Sequence, residues 1–222
     1  MSSISLQWGE ADLGAVAKGE AQPDPLVPRL AQSGQLQFVD SVARLQAAKP
    51  DVAILIQPRA LSPDELVRLD SWVRAGGRLL LFADPALQWP SGLPLGDPGR
   101  PLFTSMLSPI LAHWGLELAL PMDATEEVVE LRFRDLHLAM VSPGIWQAVR
   151  PSDTSGNCRI EADSRLAECR PGKGQVVLIA DADMLHQEIW QPSLGRNDNM
   201  RLVERTIDAL ADGQRVVGAK GK

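Results

Sequence analysis

Between Asp51 and Pro85 the chain alternates short apolar runs with one amphipathic stretch, which predicts strand, helix, strand. Val52-Ala53-Ile54-Leu55-Ile56 is a continuous apolar run of the kind found in a strand buried on both faces. Ser62-Pro63-Asp64-Glu65 opens a helix: the serine caps free N–H groups, the proline sits where a missing N–H costs nothing, and the acids complement the helix dipole. Leu66, Leu69 and Val73 recur at helical spacing beside Trp72, giving that helix an apolar face. Gly76-Gly77 stops it, and Arg78-Leu79-Leu80-Leu81-Phe82 is the next buried strand. Two parallel strands joined by one helix make a right-handed crossover, so the fold class is α/β.

The same reading extends along the chain. Ile4–Trp8 and the alternating Gln35–Val39 are expected strands, Pro25–Gln32 and Ser41–Lys49 expected helices. After Pro85, a segment dense in Pro and Gly runs to Pro101, followed by a helix expected over Leu102–Trp114 and a strand at Leu116–Leu118. Residues 127–170 change character: Val128–Phe133 with Leu136–Val141, and Cys158–Glu161 with Leu166–Arg170, read as two antiparallel hairpins. The expectation is one α/β domain over residues 1–213, with a β-rich insertion or edge extension at about 120–170 and a flexible tail over 214–222. A buried strand at Gln175–Ala180 and a helix at about Asn199–Ala211 restore the α/β pattern.

Composition narrows the function classes. A chain of 222 residues, 45% hydrophobic, is long enough to bury a large core. A net charge of −6 without a basic face argues against a nucleic-acid partner. No run approaches the roughly 18 apolar residues of a membrane span, and no signal peptide is evident.

Three pieces in order, PDVAILIQPRALSPDELVRLDSWVRAGGRLLLFADP, GKGQVVLIADADML and NDNMRLVERTIDALADG, carry a resemblance to the GldG-like family of auxiliary subunits of ABC-type transport systems, related to gliding-motility components. The resemblance spans roughly residues 35–213 and is weak across 120–170. It implies a three-layer, mostly parallel sheet with helices on both faces, of the flavodoxin or class I glutamine amidotransferase kind. It also implies a periplasmic or other extracytoplasmic location, a membrane tether that these 222 residues do not contain, and ABC permease or ATPase subunits as partners.

Amidotransferase chemistry needs a thiolate on a glycine-flanked strand-to-helix turn and a nearby histidine. The position after Arg78–Phe82 holds Ala83-Asp84-Pro85 instead, neither cysteine enters a helix, and His113, His137 and His186 are scattered. No catalytic residue, cofactor or metal is therefore expected. Cys158 and Cys169, across an expected hairpin, read either as one disulfide or as two buried thiols; the extracytoplasmic resemblance favours the disulfide. A zinc site lacks a ligand set.

Two other groups stand out. Asp84 ends one strand, Asp181 and Asp183 another, and parallel strands bring such acids to one edge, where Asn199 joins them; that edge is where open α/β sheets bind ligands. The alternative is structural: Asp84 and Asp181 bonding backbone N–H groups, and Asp183 capping the next helix. Trp89 and Leu93 put apolar groups into the irregular segment after Pro85, either as a partner contact or as a lid folded back on the sheet edge. Trp8, Trp72 and Trp114 read as packing residues. The sequence thus reads as a non-catalytic extracytoplasmic auxiliary domain of an ABC-type transport assembly. Its alternatives are a small-molecule or carbohydrate-binding domain, and a metal-dependent hydrolase using the strand-end acids.

Overall fold

A computed structural model describes residues 1–9, 13–149, 156–191 and 197–216. In chain order the elements are α1 (Leu13–Lys18), α2 (Leu26–Leu30), α3 (Val42–Ala48), β1 (Ala53–Ile56), α4 (Pro63–Arg74), β2 (Arg78–Phe82), α5 (Ser108–Trp114) and β3 (Leu116–Ala119). There follow β4 (Val128–Phe133), β5 (Leu136–Val141), β6 (Ile145–Ala148), β7 (Arg159–Glu161), β8 (Leu166–Cys169), β9 (Gln175–Ile179), α6 (Gln187–Trp190) and α7 (Asn199–Ala211).

The capping signal at Ser62 is realised in full. The serine hydroxyl accepts from Glu65 N–H, and the Glu65 carboxylate accepts from Ser62 N–H, so two orphan donors of the first turn are satisfied reciprocally. The turn after α4 needs both glycines: Gly76 adopts φ 122°, and a Cβ on Gly77 would lie 2.6 Å from the Trp72 ring.

β1, β2 and β9 run parallel, but β8 pairs antiparallel with β9 and β7 antiparallel with β8, giving a mixed five-stranded sheet in the order β1-β2-β9-β8-β7. This corrects the mostly parallel sheet expected from the resemblance. The link from β8 to β9, residues 170–174, is too short for a crossover, so these neighbours must be antiparallel. The β-rich region is therefore divided: β7 and β8 extend the main sheet, β4 and β5 form a separate ribbon, and β6 pairs with β3.

Residues alternate between two cores. Leu55, Leu79, Leu81, Val176 and Leu178 pack with Leu69 and Val73 of α4 and Ile110, Leu111 and Trp114 of α5. Ile56, Leu80, Phe82, Val177 and Ile179 pack with Leu26 of α2, with Leu202, Val203 and Leu210 of α7, and with Leu131, Phe133, Leu138 and Met140 of the ribbon. Both faces of the sheet are covered, which is why its central strands are apolar throughout.

Several expected elements are not formed. Ile4–Trp8 is a turn, fixed by Leu6 N–H to Ile4 C=O and Asp24 N–H to Leu6 C=O. Its alternating Ile4 and Leu6 plug the core, while Trp8 is 46% exposed rather than packed. Gln35–Val39 pairs with no strand among the described residues. The helix expected from Leu102 begins only at Ser108, because Pro109 has no N–H to bond the carbonyl four residues back and is tolerated in the first turn of a helix, not in its interior. Within the expected tail, Val216 is buried and its N–H donates to Glu168, a buried carboxylate that also pairs with Arg170; residues 217–222 lie outside the described residues.

Candidate functional site

The register of the parallel strands assembles the candidate site. Ile56 is opposite Phe82 and Phe82 opposite Ile179, so Gln57, Asp84 and Asp181 follow at the carboxyl ends of three adjacent strands. All three are fully buried, and Asp183 is 3% exposed. Oxygens of Asp84, Asp181 and Asp183 lie within 4.8 Å of one another, the one such convergence of three potential metal-ligating side chains among the described residues.

Each carboxylate is already engaged with backbone. Asp84 accepts from Ala86 N–H at 2.8 Å and from Ala182 N–H at 2.9 Å, tying the end of β2 to the end of β9. Asp181 accepts from Met184 N–H at 2.9 Å and from Val141 N–H at 2.8 Å, tying β9 to the outer edge of β5. Asp183 accepts from Gln88 N–H at 2.6 Å and holds the segment after β2. The short 3₁₀ turn Asp183–Leu185 is thus capped by Asp181 and not by Asp183, contrary to the structural alternative read from the sequence.

Asn199, at the start of α7, does not reach the acids. Its amide oxygen accepts from Ala139 N–H, and its NH₂ donates to the carbonyls of Ala139 and Met184, 2.8–2.9 Å away. Asp198 accepts from His137 N–H, while its own N–H donates to the His137 carbonyl. Asp181, Asn199 and Asp198 together cover the outer edge of β5, taking the place of a neighbouring strand.

Gln57 is the site residue that the sequence reading passed over. Its side chain accepts from Asp84 N–H and donates to the carbonyls of Asp84 and Leu102, and its backbone takes a left-handed φ of 40°. The signal was its place directly after the β1 apolar run, the same strand-end position that singled out the acids.

Burial raises the affinity of all three acids for protons. Asp84 is pushed up to about 6, chiefly by loss of hydration and against the pull of its backbone donors. Asp183 rises to about 7, from burial and then from the charge of Asp84. Asp181 rises well above the carboxylate range, from burial and then from Asp84 and Asp183. The cluster accordingly holds protons near neutral pH.

A cavity of about 230 Å³ lies to one side, lined among others by Ser5, Asp24, Trp89, Pro90 and His186; the acids are not in its wall. Trp89 is half-buried against the core and meets His186 edge-on, with ring centroids 5.0 Å apart, and burial lowers the His186 pKa. Leu93 is also half-buried, its carbonyl accepting from Arg100. The exposed apolar groups nearby in sequence are Leu95, Phe103 and Met106. Of the other histidines, His113 lies against Arg74 and Asp70, and His137 is exposed on β5. Cys158 and Cys169 form a disulfide, with Cα atoms 4.0 Å apart, one step beyond the Arg159–Glu168 pair of the β7–β8 hairpin. No helix among the described residues is long and apolar enough to cross a membrane.

Residues 20–120 match the model of a family described as an ABC-type uncharacterized transport system. That stretch includes Gln57, Asp84, Trp89 and Leu93 and ends before Asp181, Asp183 and the disulfide. No curated protein sequence matches the chain. Among solved structures, the mmIFT52 N-terminal domain aligns with 84% of this chain and 88% of its own at 14% identity and a TM-score of 0.54, a likeness of fold alone. A cytoplasmic protein from Salmonella typhimurium, STM3548, aligns at 15% identity and TM-score 0.44 over 82% of this chain and 84% of its own. An exo-β-1,4-mannosidase from Opitutaceae bacterium strain TAV5 aligns at 16% identity and TM-score 0.42 over 74% of this chain and 25% of its own.

Proposed function

We propose that this chain is a non-catalytic auxiliary domain of an ABC-type transport assembly, of the GldG-like kind, working outside the cytoplasm through protein contacts. The observation that carries the reading is the family match over residues 20–120. Two features of the molecule support it. The strand-end position after β2 carries Asp84 followed by Pro85 and an irregular segment, with no nucleophile entering a helix. The Cys158–Cys169 disulfide suits an oxidising compartment. Affinity purification of the natural full-length protein from gently solubilised source membranes, with partners identified by mass spectrometry, is expected to recover an ABC permease or ATPase subunit. Recovery of the protein alone would refute the assignment.

Convergence of Asp84, Asp181 and Asp183 favours a second reading, a divalent-cation site. The geometry weighs against it. Both oxygens of Asp84 and both of Asp181 already accept backbone N–H bonds, in surroundings closed to water. The acids act here as staples between strand ends. Millimolar Mg²⁺ or Ca²⁺ should accordingly leave the melting temperature unchanged; a saturable rise lost in Asp183→Asn would restore the cation site.

A further inference from the structure

We propose that the outer edge of β4 is a self-association surface, where a second copy of this chain adds its own β4 antiparallel and joins the two ribbons into one sheet. The proposal stands independently of the transport reading.

The ladder shows which backbone groups are open. On β5, the N–H groups of His137, Ala139 and Val141 point away from β4, since they donate to Asp198, Asn199 and Asp181. Their opposites on β4 are Arg132, Glu130 and Val128. In an antiparallel pair such residues face away from the partner strand together. Backbone N–H and C=O groups of Val128, Glu130 and Arg132 therefore point outward, and no backbone bond among the described residues reaches them.

Two other strand edges are covered. Side chains cover the outer edge of β5, and Met1–Ser3 covers β1 through Ile56 N–H to Met1 C=O and Ser3 N–H to Gln57 C=O. Among the described residues, β4 has neither protection. Its sequence, VVELRF, contains no Pro, Gly or Lys to blunt an edge, and Val128 and Val129 are 47% and 37% exposed. Leu131 and Phe133 fix one face on the core, leaving Val128, Glu130 and Arg132 on the solvent face.

Charge selects the occupant. Glu126, Glu127 and Glu130 lie in the first half of the segment, Arg132 and Arg134 in the second. An antiparallel copy sets acidic half against basic half, which is the self-complementarity that a two-fold contact requires. The favoured register places Glu130 opposite Arg132 of the second copy, and Arg132 opposite its Glu130, with the axis at Leu131. A register centred on Glu130 would oppose two like charges and is disfavoured.

The test is sedimentation velocity of the purified chain at low salt across a concentration series. Wild type should form dimers. E130R and R132E, each alone, should weaken the dimer about tenfold or more, since two attractive cross-strand pairs become repulsive. An equimolar mixture of the two variants should associate again, as should the double swap E130R/R132E. Both positions are exposed, so circular dichroism and melting temperature should be unchanged and a folding defect is separable. A wild type that stays monomeric at every concentration overturns the proposal. So does a dimer indifferent to either reversal, or a mixture of variants that fails to associate.

Discussion

At the scale of the residue, the acids at the strand ends combine deep burial with hydrogen bonds to backbone. Their pKa values are raised on folding, so the folded state holds more protons than the unfolded one between about pH 4, the ordinary carboxylate value, and the folded values of about 6 for Asp84 and about 7 for Asp183. Stability contributed by these groups is full below the unfolded pKa and is lost as pH rises across that window. Asp183→Asn retains an oxygen for Gln88 N–H while removing the charge. It should therefore stabilise the protein by on the order of 2 kcal/mol at pH 8 and by little at pH 4.5, read from urea unfolding at the two pH values. Asp84→Asn should stabilise less at pH 8, because the pKa of Asp84 is raised less and its carboxylate holds two N–H groups instead of one. Both Asp84 oxygens accept, so one of Ala86 N–H or Ala182 N–H loses its partner, at a cost of about 1–3 kcal/mol. Equal responses of the two variants would contradict the staple account. The position of the acids was legible from the rule that parallel strands end at one edge. What they bind was not, because Val141 and Gln88 come from segments distant in sequence, brought near only by the packed ribbon and the loop after β2.

Among the elements, the best-read ones carry local signals that agree with their surroundings. α4 has cap, proline, acids and an apolar face, and it forms as expected over Pro63–Arg74. The β4–β5 and β7–β8 hairpins form because each strand finds its alternating partner within a short distance along the chain. Gln35–Val39 carries the same alternation without a neighbour to pair with, and it remains irregular, with Phe38 46% exposed. Alternation alone thus marks a strand only where a second strand can supply the other half of the hydrogen bonds. The disulfide belongs to this scale too, since it closes the β7–β8 hairpin across a separation of 11 residues. Reducing it should lower stability by about 2–3 kcal/mol, seen as a lower urea midpoint with reductant present. An unchanged midpoint would mean that the hairpin's ladder and the Trp114 and Glu168 contacts around it hold the segment unaided.

For the whole molecule, the sheet divides into a parallel half that carries the candidate site and an antiparallel half that carries the disulfide. The parallel half was legible because a helix between two apolar runs demands a crossover. The antiparallel half was foreseen as hairpins; its fusion with the main sheet, through the short link of residues 170–174 that sets β8 beside β9, was not. Trp89 and Leu93, expected as contact residues, are both half-buried, and the exposed apolar surface in this region falls to Leu95, at 89%, with Phe103 and Met106. A transport partner gripping this loop would therefore meet Leu95 first. Photo-crosslinking in the source membranes tests this most directly, with a photoreactive residue placed at position 95 and, as a control, at the exposed Val67 on α4. The account predicts a crosslink from position 95 to an ABC permease subunit and none from position 67. Absence of any crosslink at 95, or equal crosslinking from both positions, would contradict it.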